Sequence, residues 1–417
     1  MKLKTHSLLL GAALALALGG VAHAAEEVEV VHWWTSGGEA AALQVLKQNL
    51  EKQGVTWKDA AVAGGAGDAA ATVVKARVAS GNPPTAMQML GMVITEWAGQ
   101  GIMGDLSEVA KKEGWDKVIP PALQKFTVQN GKWVAAPVNI HRPTWIWGNK
   151  ALFAKVGVQP PKTWDELIAA LDKFKAAGVL PLAHGGQDWQ DATLWENVVL
   201  SVGGADFYRK AILELDEQAL GSDQMKQVFE RMRKLSQYMD KNRTNLDWNL
   251  ATAKIINGEA AMQVMGDWAK GEFATAGKKA EVDFLCFDFP DTKGAITFNS
   301  DAFGMFEVGA AKKPAQEKLA KAIMDPAFQE QFNLVKGSIP ARTDVPMDKF
   351  DGCGKKAKAD LEKAIAANAM LGSLAHGHAV PAAVKGAFFD VITNHLNSDM
   401  SADEAVQQLI EAVAAAK

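Results

Sequence analysis

Apolar and polar positions along the chain alternate between a two-residue and a 3.6-residue period, the marks of strands and helices in turn. Val28, Val30 and Val31 read as a short strand, closed by Trp33 and Trp34. Thr35-Ser36-Gly37-Gly38-Glu39 breaks that run and opens a helix. Ser36 and Glu39 have the spacing of a capping box, Ala41, Ala42, Leu43, Val45, Leu46 and Leu50 supply the buried stripe, and Gly54 is the stop. A second helix is expected over 68–79, after the cluster Gly64-Gly65-Ala66-Gly67. That cluster lacks the third glycine of the dinucleotide pattern and the Lys-Ser/Thr of a phosphate loop, so it is not read as a nucleotide site. Thr163 to Glu166 predicts another capping box, with its helix ending at Gly178, and a charged helix is expected from Ser222 to Asp240. Met262 to Met265 reads as a buried strand ending at Gly266-Asp267-Trp268, and Phe284 to Phe289 as another, closed by Pro290. The last 60 residues are Ala-rich and helical in pattern. The whole is an α/β pattern with no internal repeat.

The beginning of the chain is different. Lys2 and Lys4 precede an apolar stretch, Leu8 to Leu18, and then the small-x-small site Ala22-His23-Ala24. This is the pattern of a secretory signal peptide over 1–24, cut after Ala24. No Cys follows the cut, so no lipid anchor is expected, and no later stretch approaches 18 uninterrupted apolar residues. The expected location is a bacterial periplasm. The 417 residues less those first 24 leave about 393, more than the roughly 250–300 at which a single core stops growing, which predicts two domains. A net charge of −4 with well-mixed signs gives no basic patch for nucleic acid. Cys286 and Cys353 are a candidate disulfide in an oxidising compartment, with two separate buried thiols as the alternative.

The candidate chemistry begins with the tryptophan pair. The chain has 13 Trp against 2 Tyr, and Trp33 and Trp34 stand where a strand ends with Glu39 close by. Flat rings cover the C–H face of a pyranose, and charged acceptors hold its equatorial hydroxyls. The alternative is a core pair, because neighbouring strand residues point to opposite faces. Glu39 has its own alternative, as the capping partner of Ser36. Gln88 lies between Met87 and Met89, which predicts an amide turned toward a cleft.

Longer segments carry a family resemblance. Pro161-Lys162-Thr163-Trp164-Asp165-Glu166-Leu167, and Asn257 to Met262 followed by Met265-Gly266-Asp267-Trp268, resemble segments of the extracellular solute-binding proteins of ABC sugar transporters. Val138-Asn139-Ile140-His141-Arg142, Lys336 to Arg342, and Ser373-Leu374-Ala375-His376-Gly377 are similar to the glucose-binding branch of that family. The resemblance implies a two-lobed α/β periplasmic-binding-protein fold with a hinge and a ligand cleft between the lobes. Residues 25–137 and 292–344 would form the N-terminal lobe, and 138–291 and 345–417 the C-terminal lobe. It implies a monosaccharide ligand, above all glucose, and an ABC transporter inner-membrane permease as partner. The chain would act as a monomer, with no cofactor, no metal and no catalytic residue.

The implied ligand contacts are Trp33, Trp34, Glu39, Gln88, Asn139, His141, Trp248, Trp268, Asp301, Lys336 and His376. Trp248 and Trp268 are the expected stacking rings, while Trp57, Trp115, Trp133 and Trp164 are expected to be structural. Asp301 and Lys336 would grip hydroxyls, against the alternative of a plain surface salt bridge. His376 and His378 have no third ligand motif beside them, so His376 is read as a neutral hydrogen-bonding group. A secreted glycosidase with Glu39 and Asp301 as its two carboxyls, and a binding protein for another sugar or polyol, stay open as other readings.

Overall fold

The computed structural model describes residues 26–417, so the signal-peptide reading of 1–24 and its cleavage site lie outside the described residues. Two main sheets organise the chain. The first has the strand order Val55–Ala61, Glu26–His32, Ala86–Leu90, Asp301–Met305, Ala135–Pro137. Its first three strands are parallel, and Asp301–Met305 runs antiparallel between its two neighbours. Ala86–Leu90 is buried at all five positions, as befits a central strand covered on both faces. The second sheet has the order Phe284–Asp288, Trp145–Asn149, Ala260–Val264, Leu180–Leu182.

Helices cover both sheets. Gly37–Lys52 follows the first strand with its capping box formed by Ser36 and Glu39, and Asp68–Ala79 has the expected bounds. Helix Asp188–Tyr208 is buried along most of its length beneath Asp223–Ser236 and Ala382–Asn397. The expected charged helix ends at Ser236 rather than Asp240. The chain leaves it early because Leu182 N–H donates to the Tyr238 carbonyl, and Met239 bridges to Leu182 at the sheet edge. At Thr163 the capping box is incomplete: the Thr163 side chain accepts from Glu166 N–H, but the Glu166 carboxylate accepts from Lys162 N–H instead. The Ala-rich end holds helices Gly352–Ala366, Ala382–Asn397 and Ala402–Ala416, plus a short strand, Met370–Gly372, that pairs with Ile296–Phe298.

The chain passes between the sheets at neighbouring places. Asn139–Ile140 pairs with Ile339–Pro340, and His141 pairs with Asn299 in a bridge. These segments lie side by side and end next to Asp301, the first residue of its strand. Among the described residues no helix is long and apolar enough to cross a membrane.

Cys286, in strand Phe284–Asp288, is bonded to Cys353, in helix Gly352–Ala366. The separate-thiol alternative is thereby excluded. Arg142 adds a polar clamp at the same place, donating to Asp288 at 2.8 Å and to Asp360 at 2.7 Å with its guanidinium over Trp145. The bond closes a loop over a sequence separation of 67. Cys353→Ser should lower the unfolding free energy by about 2–4 kcal/mol, read by urea denaturation under oxidising conditions. Wild-type stability in that variant would show that the Arg142 clamp suffices alone.

Candidate ligand-binding site

The strand Glu26–His32 stops one residue before the tryptophan pair, and the turn that follows aims both rings at one cavity. This cavity, of about 240 Å³, lies between the two sheets. Trp33, Trp34, Glu39, Asp301 and Lys336 line it from the first sheet and its helices. Trp248, Trp268 and His376 line it from the other side, with His141 at the crossing.

Two glycines make room for two of the rings. Gly67 holds a left-handed φ of +84°, and a Cβ there would stand 2.5 Å from the Trp33 ring. A Cβ on Gly266 would stand 2.1 Å from the ring of Trp268. The glycine cluster at 64–67 is therefore a seat for Trp33 at the rim of the cavity. Trp34 is held deeper, edge-on to Phe303 and tilted against Phe332, with its ring 5.4 Å from Lys336 Nζ. It combines the two readings considered for the pair, core residue and cavity wall.

Glu39 also has both roles. Its carboxylate accepts from Ser36 N–H at 3.4 Å, closing the capping box, while Oε1 accepts from Lys336 Nζ at 3.0 Å. Lys336 is 2% exposed, so this pair is not the surface salt bridge considered for it. Lys336 is paired with Glu39 rather than with Asp301.

Asp301 is the most heavily tied group. Its Oδ1 accepts from Gln88 Nε2 at 2.8 Å, and its Oδ2 from Asn139 Nδ2 and His141 Nε2, each at 2.9 Å. Its own N–H donates to Asn139 Oδ1. Gln88 and Asn139 are fully buried and do not line the cavity. This corrects their placing among the ligand contacts: both amides are spent on Asp301, and Gln88 Oε1 also accepts from Trp33 N–H. The Met-Gln-Met pattern did not mark a cleft face because the strand is covered on both sides.

His141 joins Asp301 to Asp267, in the turn after strand Ala260–Val264 of the other sheet, with Nδ1 donating to Asp267 Oδ1. Burial alone would discharge the imidazole, but Asp267 and Asp301 outweigh it and raise its pKa above the ordinary value. Burial likewise works against the Asp301 carboxylate. His141, Lys336 and Asn139 overcome this and hold it far below the usual range.

His376 packs against Trp268 and Trp189 at ring distances of 5.0 and 5.9 Å. Burial, with His378, His141 and Lys385 nearby, holds its pKa well below the ordinary value, so it is neutral. His378 lies behind it with both nitrogens committed, one accepting from Ser300 N–H and the other donating to the His376 carbonyl. Neither nitrogen of His378 is left for a metal.

The cavity has further walls that the sequence reading did not select, chiefly Trp189, Gln187, Asp247 and Asn299, with Leu90 at the side. Trp189 donates to Gln187 at 2.9 Å, and Gln187 donates to Asp247 at 2.7 Å, the residue before Trp248. The available signal was Gly185-Gly186-Gln187-Asp188-Trp189, a tryptophan just after glycines and a strand, like Gly266-Asp267-Trp268. Leu90 gives that side of the wall an apolar surface.

Two lobes with a polar, tryptophan-lined cavity between them and adjacent chain crossings define a cleft-type binding protein. The comparisons agree. A model described as bacterial extracellular solute-binding protein matches residues 34–328, and the chain belongs to that family. A probable sugar-binding periplasmic protein of Brucella suis is 58% identical, over 97% of this chain and 96% of that one. A protein of the same description from Rhizobium meliloti is 57% identical, over 97% of this chain and 98% of its own. Among solved structures, a chitin oligosaccharide binding protein superposes with a TM-score of 0.80 at 22% identity, covering 94% of this chain and 98% of that one. A raffinose complex of the solute-binding protein RafE gives 0.75 at 20%, covering 94% and 99%. At these identities the structural neighbours establish the fold, a two-lobed periplasmic-binding-protein architecture.

The Asp301 contribution to stability is full above the ordinary carboxylate pKa, about 4, and is lost as pH falls through its depressed value. The His141 contribution is full below about 6.5 and is lost as pH rises through its raised value. Both are therefore full between about pH 4 and 6.5. In that window His141→Ala leaves two buried carboxylates without their cation and should cost about 3–5 kcal/mol in urea unfolding. An unchanged midpoint would mean that the pair is neutralised some other way.

Proposed function

We propose that the chain is the periplasmic sugar-binding component of an ABC-type importer, that the cavity takes one monosaccharide, and that this sugar is glucose. The observation that carries the reading is the cavity itself. Five tryptophans, Trp33, Trp34, Trp189, Trp248 and Trp268, surround three carboxylates, of which Glu39 and Asp301 are each already paired with a cation and Asp247 accepts from Gln187. Rings suit the apolar face of a pyranose, and paired carboxylates keep free lone pairs for its hydroxyls. At about 240 Å³ the cavity is below the roughly 300–1,000 Å³ of pockets for drug-sized ligands, which favours one ring over an oligosaccharide. The descriptions of the Brucella and Rhizobium relatives as sugar-binding and periplasmic support the substrate class and the compartment.

In this reading the contacts are Trp33, Trp34, Glu39, His141, Trp248, Trp268, Asp301, Lys336 and His376, with Trp189 and Asn299 added. The lobes are 25–137 with 292–344, and 138–291 with 345–417, except that strand Ile296–Phe298 pairs with Met370–Gly372 and so goes with the second lobe. The sugar touches both, so it favours the closed arrangement, which a membrane permease recognises. The protein works as a monomer and needs no cofactor. Hydrolysis is a poorer reading. A glycosidase needs one carboxyl kept protonated as general acid, whereas Asp301 is held ionised and Glu39 is paired with Lys336.

Calorimetric titration with glucose, galactose, mannose and maltose tests this. Glucose should bind at one site, the other hexoses more weakly, and maltose not at all. Tight maltose binding without glucose binding would overturn the monosaccharide assignment. Trp248→Ala and Trp268→Ala should each weaken glucose binding by about 1–4 kcal/mol, and Asp301→Ala by about 1–3 kcal/mol. Trp57→Ala, which changes a residue outside the cavity wall, should leave affinity unchanged.

Small-angle scattering should show a smaller radius of gyration with saturating glucose, with tryptophan fluorescence changing in step. Proven binding with neither response would point to a rigid pocket.

A further inference from the structure

The described site leaves two buried acids unused, Asp191, which faces His184, and Glu196. Glu196, in helix Asp188–Tyr208, is fully buried and lies outside the cavity wall. Its Oε1 accepts from Thr297 Oγ1 at 3.0 Å and faces Ser373 Oγ at 2.9 Å. Its Oε2 faces Ser373 Oγ at 3.0 Å, Tyr208 OH at 3.2 Å, and the N–H groups of Leu374 at 2.9 Å and Ala375 at 3.4 Å. The two backbone groups can only donate, so the arrangement is built for a carboxylate. Burial opposes it, pushing the acid up to about 7.

Ser373 connects this acid to the cavity. Its Oγ lies 2.8 Å from His376 Nδ1 and accepts from His376 N–H at 3.2 Å. A serine hydroxyl has one hydrogen. Between the two oxygens of a carboxylate that hydrogen goes to Glu196. The short contact with the imidazole must then be made by a proton on Nδ1. A neutral ring protonated at Nδ1 carries a lone pair on Nε2. His376 lines the cavity, is 4% exposed, and its Nε2 has no hydrogen-bond partner among the described residues. A buried nitrogen of this kind calls for a donor from whatever fills the cavity.

We propose that Glu196, acting through Ser373, is a positioning residue that sets His376 as a hydrogen-bond acceptor, so that the site selects a ligand presenting a hydroxyl donor to Nε2. The inference rests on the cavity being the sugar site, and it adds which way one hydrogen bond runs. The contacts seen for Asp301 and Glu39 make those two groups acceptors as well. Lys336 is the complementary donor, and His376, which could have been either, is fixed on the acceptor side.

The tautomer can be read without any ligand. Nitrogen-15 spectra of histidine-labelled protein at about pH 8.5, above the value of Glu196, should show His376 protonated at Nδ1 and bare at Nε2. In Glu196→Gln the amide N–H₂ can donate to Ser373, whose hydrogen is released to His376 Nδ1, and the proton should move to Nε2. Ser373→Ala cuts the connection with a smaller change in the core and should also release the Nδ1 proton, which covers the case of a Gln variant that does not fold. Glucose affinity should fall by about ten-fold or more in each, as a donor now meets a donor. Among monodeoxyfluoro glucoses, one position should lose heavily against wild type, because fluorine cannot donate, and that penalty should shrink in Glu196→Gln.

A wild-type His376 protonated at Nε2 would overturn the proposal, as would a tautomer unmoved in both variants. A moved tautomer with unchanged glucose affinity would overturn it too, by showing that the ligand does not use Nε2. A wild-type protein that binds no sugar would instead defeat the monosaccharide reading, and the ligand-free spectra would still decide the relay.

Discussion

A single imidazolium between two buried carboxylates joins the halves of this molecule. His141 donates to Asp301, the first residue of a strand in the first sheet, and to Asp267, in the turn after strand Ala260–Val264 of the second. Burial works against the Asp301 carboxylate and against the imidazolium alike, and their contact offsets part of the cost of each. Around it, Gln88 and Asn139 use their amides to hold Asp301 in place. The cavity wall inherits this order: Asp301 lines it already oriented, with little freedom left to lose.

Much of the fold was legible because its signals are local. The Ser36 and Glu39 cap, the helix over 68–79 and the short strands before Trp33 and Gly266 all follow from periodicity and capping chemistry. What local pattern could not supply was pairing between distant segments. Strand Met370–Gly372 looks like part of a helical tail until Ile296–Phe298 is placed beside it. The charged helix stops early for a similar reason, since a sheet edge claims the residues after it.

The site divides along the same line. Residues marked by type and by a nearby chain break, such as Trp33, Trp34, Trp268 and Lys336, do face the cavity. Gln88 and Asn139 have the right chemistry for a ligand but spend it on a neighbour, which only the three-dimensional arrangement reveals. Trp189 was overlooked although its glycine-preceded position carried the same signal as Trp268. Partner choice was also hidden. Lys336 and Asp301 could be matched from charge alone, yet the lysine sits with Glu39 and the aspartate with His141.

The side-by-side crossings have a mechanical consequence. Asn139–Ile140 is hydrogen-bonded to Ile339–Pro340, and His141 to Asn299, so the connections form a narrow ribbon rather than independent tethers. A ribbon bends easily across its width and resists shear and torsion in its plane, because sliding one strand past the next would break the ladder. Any relative movement of the lobes is thereby confined to something close to one angular coordinate. The two halves of the cavity wall would keep one register in any such movement, without a guide elsewhere in the structure.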